Sequence, residues 1–466
     1  MDVAAAHLLD LSKELDISLL DQIMLIAMDG SHPQRSNAND FLVKMKDHPD
    51  MWKRADAILD KTHNEATRFF GLSVLGSAIT TRWKVMPVEQ REGIRNYIVG
   101  KIIGLSSTPE VMKKNASFLN RLNLVLVQIL KQDWPQNWPT FISDIVGSSK
   151  TSESLCENNM VILRLLSEEV FDFSRDDMTS EKARRMKQSL NEEFAKVFQL
   201  CEFILATSEN RSLICVTLKT LQRFISWIPT GYIFATSLLV NLLGKFFPVP
   251  EFRVDVIDCL TEVASLPENE IPPEFKPAIQ QLLSNFMIKL QEVIPHESNL
   301  SQIYEDGSDD DQLFVSRLAL FLGTFLRSNL KLFQNPPGGL MQASGLEPVL
   351  LESLHYLLLI SEVDDEEIFK ICLEFWHYFS KEQYTTELGL KTNSTSSLGS
   401  GLGGFFAMPA ANAAPSPLSA YNSVHSRLRH VLIDRMAKPE EVIVIEDDSG
   451  GIIREMTKDT GRNRIE

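Results

Sequence analysis

The sequence predicts an all-α solenoid of antiparallel helix pairs carrying one inserted β-hairpin. Three observations lead there. Apolar residues recur at helical spacing, as in Ile279, Leu282, Leu283, Phe286, Leu290 and Val293, and again in Leu119, Leu122, Leu126, Ile129 and Leu130. Proline and glycine stop these runs at short intervals, at Pro87, Pro109, Pro229, Pro248, Pro267, Pro272, Pro295 and Pro336–Gly339. The one strong strand signal is a pair of β-branched runs, Val442–Ile445 and Ile452–Ile453, around the acidic turn Glu446–Gly451.

Each element has its own signal. Phe69, Phe70, Leu72, Val74, Leu75, Ile79 and Trp83 make a dense helical stripe, with Thr67, Arg68, Ser73, Thr80, Thr81, Arg82 and Lys84 as the polar positions between them. Trp134-Pro135 and Trp138-Pro139 form a rigid aromatic corner. The first proline ends the preceding helix near Lys131, because a residue before proline is disfavoured in a helix. Pro139 suits the first turn of the next helix, where a missing N–H costs nothing, and Phe141, Ile142 and Ile145 supply that helix's buried stripe. All four corner residues are assigned a structural role. Ser154 with Glu157 fits a capping box. Stops about every 15–25 residues give helix pairs of roughly 40–47 residues, on the order of nine or ten of them, at the period of HEAT repeats. Residues 389–420 are rich in Gly, Ser, Thr, Ala and Pro and are expected to be a flexible insertion. Residues 421–466 then form a helix and the hairpin, which should dock because an isolated hairpin is marginal in water.

Composition narrows the function. The chain has 466 residues, 44% hydrophobic and 23% charged, and a formal charge of −16. That describes a folded protein without the basic face that phosphate-backbone binding requires, so no direct nucleic-acid partner is expected. No run reaches the length of a membrane span and Met1-Asp-Val lacks a basic leader, so neither membrane insertion nor secretion is expected. The Asn-x-Ser/Thr matches at Asn115, Asn210, Asn299 and Asn393 then carry no glycosylation signal. Five cysteines in apolar runs, with no CxxC pair, are expected to be reduced core residues.

Candidate chemistry does not assemble. Gly399–Gly404 satisfies GxGxxG but lies in low complexity with no strand before it. Asp306–Asp311 lacks the ligand order of a calcium loop, and Asp364–Glu367 is likewise a solvated acidic stretch. The histidines are scattered, and His355 and His377 lie beside aromatics as packing or surface residues. No enzyme, cofactor or metal is expected.

Several stretches carry a resemblance. Ile129–Ser174, Arg68-Phe-Phe-Gly-Leu72, Thr81-Arg-Trp-Lys84, Arg223–Pro229, Gly231–Phe234, Glu367–Glu374 and Arg435–Val442 resemble, in the same order, the CRM-type exportins of the importin-β (karyopherin) superfamily. The resemblance covers nearly the whole chain and implies HEAT units. It divides the chain into an N-terminal helix (1–33), an importin-β-like N-terminal domain (34–101), exportin-type HEAT repeats (112–257), further HEAT repeats (258–388), the insertion and the hairpin segment. One departure is Ser423–Leu428, where the family carries a bulkier hydrophobic run.

The resemblance also implies partners. They are the GTPase Ran in its GTP state, cargo bearing a leucine-rich export signal, and nucleoporins, for a receptor shuttling between nucleus and cytoplasm through the pore. Ran contact falls by resemblance on Gln34, Arg35, Asn37, Leu42 and Lys44 (with Ala38 and Met45 on the same helix), and on Arg68, Thr81, Arg82 and Lys84. The acidic loop Val442, Ile443, Val444, Ile445, Glu446, Asp447 and Asp448 would sense Ran. In the family the cargo groove is built by later repeats, so the chain is expected to be incomplete, with that groove outside it. The alternative is a generic HEAT scaffold for a cytosolic complex.

Overall fold

A computed structural model describes residues 8–171, 180–334, 346–396, 421–435, 442–446 and 452–456. The chain divides into two compact units, Met1–Leu266 and Pro267–Glu466. Among the described residues there are twenty α-helices, fourteen of them of twelve residues or more. The longest are Ser180–Thr207, Asp309–Gln334 and Glu366–Ser396, of 28, 26 and 31 residues.

The first unit holds α1 (Ile17–Met28), α2 (Arg35–Asp47), α3 (Ala55–Lys61), α4 (Glu65–Arg82), α5 (Val88–Leu105), α6 (Pro109–Lys114), α7 (Ala116–Asp133), α8 (Phe141–Ser148), α9 (Glu153–Phe171), α10 (Ser180–Thr207), α11 (Arg211–Ile225), α12 (Thr230–Phe234), α13 (Leu238–Asn241, continuing as a π-type turn) and α14 (Pro250–Ala264). Helices α4, α7, α9, α11 and α14 form one row in which each packs on the next, while α5 lies against α7 and α10 lies against α8, α9 and α11. Neighbour-on-neighbour packing of this kind is how a helical repeat buries a stripe that a single pair would leave exposed.

Caps set the helix starts. Asn64 Oδ1 accepts from the Ala66 amide at 2.9 Å. Asn210 Oδ1 accepts from the Ser212 and Leu213 amides at 3.1 and 3.3 Å, and Asn299 Oδ1 from the Gln302 amide at 3.2 Å. Two of the Asn-x-Ser matches are thus helix caps, which is why asparagine stands there. The predicted capping box is displaced: Ser152 caps α9, accepting from the Leu155 amide at 3.2 Å, and Ser154 is buried.

The seam between α7 and α9 is polar at one point. Asn123 and Asn158, both buried, donate to each other's side-chain carbonyls at 2.8 and 3.1 Å. Farther along, Phe194 lies 5.5, 5.8 and 5.2 Å from the rings of Phe224, Trp227 and Tyr232. Cys156, Cys201, Cys259 and Cys372 are buried and Cys215 half-buried, all unbridged. Burial pushes the Cys156 thiol up to about 11 and Cys372 to about 12.

The second unit holds α15 (Lys276–Val293), α16 (Leu300–Asp306), α17 (Asp309–Gln334), α18 (Leu346–Ser361), α19 (Glu366–Ser396) and α20 (Asn422–Asp434). Helices α15, α18 and α20 pack in series, as do α17 and α19. Contrary to the expectation from sequence, α17 is long and apolar enough to cross a membrane by length and composition. Its Phe314, Leu318, Phe321, Leu322 and Phe325 are buried in the unit's core, with Phe321 4.5 Å from Phe286. Helix α19 runs on to Ser396, eight residues into the segment expected to be an insertion. Propagating an established helix adds one hydrogen bond per residue, enough to carry Gly389 at a cost of about 1 kcal/mol. The rest of that segment lies outside the described residues.

Two arginines seat α20 on the α18–α19 turn. Arg427 donates to both Glu362 oxygens at 2.9 and 3.0 Å, and Arg435 donates to Asp364 Oδ1 at 2.6 Å and the Glu362 carbonyl at 2.8 Å. The polar run Ser423–Leu428 therefore keeps Val424 and Leu428 buried and adds a bidentate charge pair. Beneath it, His355 stacks on His296 with centroids 4.0 Å apart and touches Arg427 Nη1 at 3.3 Å. After α20 the described backbone resumes with β1 (Val442–Glu446), paired antiparallel to β2 (Ile452–Met456), Ile445 facing Ile453. Glu446 lies within β1 and not in the turn, and Asp447 and Asp448 lie outside the described residues.

Burial, then His296 and Arg427, hold the His355 imidazole below its ordinary value of 6.5. The unfolded chain binds that proton more readily, so the contribution is complete above the unfolded value and is lost as pH falls below it. Hydrogen exchange at α18 and α20 should therefore accelerate between pH 7.5 and 5.5 relative to α15, after correction for intrinsic rates. His355→Gln should remove most of that difference; an unchanged pH response would refute the assignment.

Candidate functional site

The Trp-Pro corner organises the end of α4. Helix α7 runs two residues past the expected Lys131, to Asp133. Asp133 is 3% exposed, and its Oδ1 accepts from Trp83 Nε1 at 2.9 Å and Asn137 Nδ2 at 3.2 Å, with the Arg91 guanidinium at 3.6 Å. One carboxylate thus ties together the last turn of α4, helix α5 and the corner. Pro139 lies just before the N-cap Thr140 and not inside the first turn of α8, because Thr140 and Trp138 are held by Asp144 Oδ2, at 2.8 and 3.1 Å. The two tryptophans differ. Trp134 is 2% exposed, whereas Trp138 is half-buried under the Arg95 guanidinium at 4.8 Å.

Helix α4 presents an edge flanked by two clefts. One, of about 470 Å³, lies against α2 and is lined by Lys46, His48, Trp52, Ser77, Thr81 and Arg82. The other, of about 500 Å³, lies against α7 and is lined by Lys46, Ser73, Gly76, Ser77, Thr80 and Arg121, among others. At its far wall Lys131 bonds Glu169 at 2.9 Å. The hydroxyls of Thr80 and Thr81 donate within their own helix, to the Gly76 and Ser77 carbonyls, each at 2.7 Å. Arg82 Nη1 donates to the Pro49 carbonyl at 3.2 Å, fixing it across the α2 side.

The residues expected at the Ran contact do not all share this edge. Thr81 and Arg82 line the first cleft, and Lys84 lies just beyond it, exposed. Gln34, just before α2, and Arg35, Asn37 and Lys44 on it are exposed but line neither cleft. Leu42 is 8% exposed and, with Ala38 and Met45, belongs to the core that α2 shares with α1, because a leucine one turn from Ala38 falls on the buried stripe. Thr67 is likewise buried at 0% exposure, and Arg68 is turned onto the Phe118 ring at 5.3 Å. Backbone pairing places Val442 to Glu446 in a strand; their side chains lie outside the described residues. Sequence reasoning missed Lys46 and Arg121. Single basic residues on separate helices form no motif, and only the phase of each helix could have brought them together.

Helices stacked neighbour on neighbour, with a first segment matching the importin-beta N-terminal domain over residues 38–103, define a karyopherin-type chain. Residues 115–260 match the Exportin 1-like protein description, 348–384 the chromosome region maintenance or exportin repeat, and 418–465 the CRM1 / Exportin repeat 2. The chain is 42% identical to Exportin-1 of Drosophila melanogaster over 98% of its own length and 40% of the fly protein's. It is 42% identical to Exportin-1 of Schizosaccharomyces pombe over 97% of its length and 41% of the yeast protein's. With Protein EXPORTIN 1A of Arabidopsis thaliana it shares 40% identity over 98% of its length and 42% of the plant protein's. The chain belongs to the exportin-1 family. It spans about two fifths of the length of these relatives.

Unfolding midpoints should rank the corner residues. Trp134→Ala, which empties a buried site, should cost about 3–5 kcal/mol. Asp133→Ala, which strands Arg91 and the buried indole N–H of Trp83, should cost a similar amount, about 3–5 kcal/mol. Trp138→Ala should cost only about 1–2 kcal/mol, the sum of a cation–π and an edge-on ring contact. A Trp138→Ala loss equal to that of Trp134→Ala would overturn the distinction.

Proposed function

We propose that this chain is the Ran-binding portion of a nuclear export receptor and engages Ran in its GTP state through the exposed edge of α4 and its flanking clefts. The observation that carries the reading is the family match along nearly the whole chain, including the importin-beta N-terminal domain over the helices that build that edge. The face offers fixed and mobile cations, Arg82, Lys46, Lys84 and Arg121, on a chain of formal charge −16. Local basic charge on an acidic protein steers an acidic patch to one place and repels it elsewhere. The strands Val442–Glu446 and Ile452–Met456 are the reading's second contact, an acidic loop that senses the bound GTPase.

Export then follows from coupled binding. Ran-GTP and cargo each stabilise the receptor conformation that favours the other, so each raises the other's affinity by the same factor. GTP belongs to Ran, and the chain acts as a transport receptor and not as an enzyme, shuttling between nucleus and cytoplasm with nucleoporins as pore contacts. A leucine-rich signal needs a hydrophobic groove between helices. The strong apolar stripes of α4, α7, α11, α15 and α17 are buried, which supports a reading in which these helices have no spare apolar stripe to build such a groove.

Immobilised chain should retain Ran locked with GTP and release Ran-GDP. The double variant Lys46→Glu/Arg82→Glu should weaken the GTP-state complex by about fivefold or more at fixed salt, as charge reversal at an interface rim does. Equal retention of both nucleotide states would sink the proposal. A fluorescent leucine-rich peptide should show no saturable binding to the chain, with or without Ran-GTP; Ran-enhanced saturation would place a groove within these residues.

A further inference from the structure

Helices α7 and α9 meet along an apolar stripe that is interrupted at one place. On α7, Leu119 and Leu126 stand one turn before and one turn after Asn123, and on α9 Leu155 and Ile162 stand one turn before and after Asn158. All six are buried. The two asparagines, 35 residues apart in the chain, form a closed pair across the seam: each side-chain N–H donates to the other's carbonyl, at 2.8 and 3.1 Å. Asparagine is a poor choice here by every local measure. It is a weak helix former, because its side chain competes for backbone hydrogen bonds, and its amide loses water on burial. Two leucines would continue the stripe with no polar group to satisfy. The adjacent Asn159 donates to the Ile145 carbonyl at 3.2 Å and to the Ser148 and Ser149 hydroxyl oxygens at 3.0 Å each, which ties α9 to the end of α8. Asn158 is the polar link from the same turn to α7.

What a paired amide adds to an apolar stripe is discrimination. Leucine packs on leucine in several alignments, because hydrophobic burial is non-directional. A reciprocal amide pair closes in one alignment alone. If α7 slips by a turn, Asn158 comes to face Leu119 or Leu126, Asn123 comes to face Leu155 or Ile162, and both amides lose their partners without regaining water. A single buried asparagine fixes register in coiled coils by the same device. The alignment has a consequence farther along the seam, where Lys131 on α7 bonds Glu169 on α9 at 2.9 Å and forms the far wall of the cleft between α4 and α7. We propose that Asn123 and Asn158 are a register key: they hold α7 and α9 in one alignment, at a cost in stability, and thereby fix the shape of that cleft wall. The key acts on the helices themselves and is independent of what the cleft binds.

The test uses the full chain carrying Cys215→Ser, which removes the half-buried thiol, and nitroxide labels at Asn120→Cys on α7 and Glu153→Cys on α9, both exposed positions. Pulsed dipolar spectroscopy reads the label separation, and the parent should give one narrow distance. Asn123→Leu/Asn158→Leu should broaden or split it by about 3 Å or more, towards the roughly 5 Å of a one-turn slip. Its unfolding midpoint should stay within about 2 °C of the parent or rise. Asn123→Leu alone, which strands the Asn158 amide, should lower the midpoint by about 5 °C or more, so the two single losses should not add in the double variant. Leucine is the larger side chain; if it unfolds the chain, Asn123→Ala/Asn158→Ala supplies the same distance readout without added volume. Retention of the parent's single narrow distance in a folded double variant would overturn the proposal. So would single losses that add in full.

Discussion

The buried carboxylate of Asp133 is the constraint on which the N-terminal unit turns. It is the last residue of α7, and it holds the indole of Trp83 at the end of α4, the guanidinium of Arg91 on α5 and the amide of Asn137 in the corner. Three chain segments, the farthest 50 residues from Asp133, thereby converge on one oxygen, Oδ1. A buried charge is tolerable only when its lone pairs are used, and here donors meet it from three directions. The exposed edge of α4 and the Trp-Pro corner both inherit their geometry from this point. The edge ends at the anchored Trp83, and Asp133 closes the corner through Asn137.

The C-terminal unit solves the same problem differently. Its core holds two series of touching aromatic rings, mostly tilted or edge-on, Phe286, Phe321 and Phe325 in one and Phe375, Phe379 and Tyr421 in the other. The last helix is seated on that core by ion pairs. Arg427 and Arg435 clamp it to the Ser361–Asp364 turn, and the stacked pair of His296 and His355 lies beneath the clamp. Hydrophobic burial decides where the helix lies, and the guanidinium geometry decides its register.

Much of this was legible in the sequence. The apolar stripes of α4, α7 and α15 stand in the core because a 3.6-residue period has few other uses. Residues at the edges of the stripes were not legible. Thr67 and Leu42 fall one position inside their stripes and are buried, although their side chains suit either environment. Ser152 caps α9 in preference to Ser154 because the helix begins at Glu153, and serines two apart offer the sequence no way to choose. Long-range polar partners were invisible for a different reason. Asn123 and Asn158, or His296 and His355, meet only after the helices have packed. The clefts are in the same position, since their cations come from helices that no local pattern links.

The threonines at the end of α4 have a consequence for any surface laid upon them. Because Thr80 and Thr81 spend their hydroxyl protons on their own helix carbonyls, neither has a proton left to donate from a position that sequence marks as polar. Water gains little by solvating such a surface, and an incoming partner displaces that water at small cost. The edge is a short strip of hydroxyls whose protons are already used, bordered by Lys46, Arg82 and Arg121. Salt can then screen the approach of a partner through the cations while leaving the contact itself largely unaffected, so encounter rate and residence time become separately adjustable.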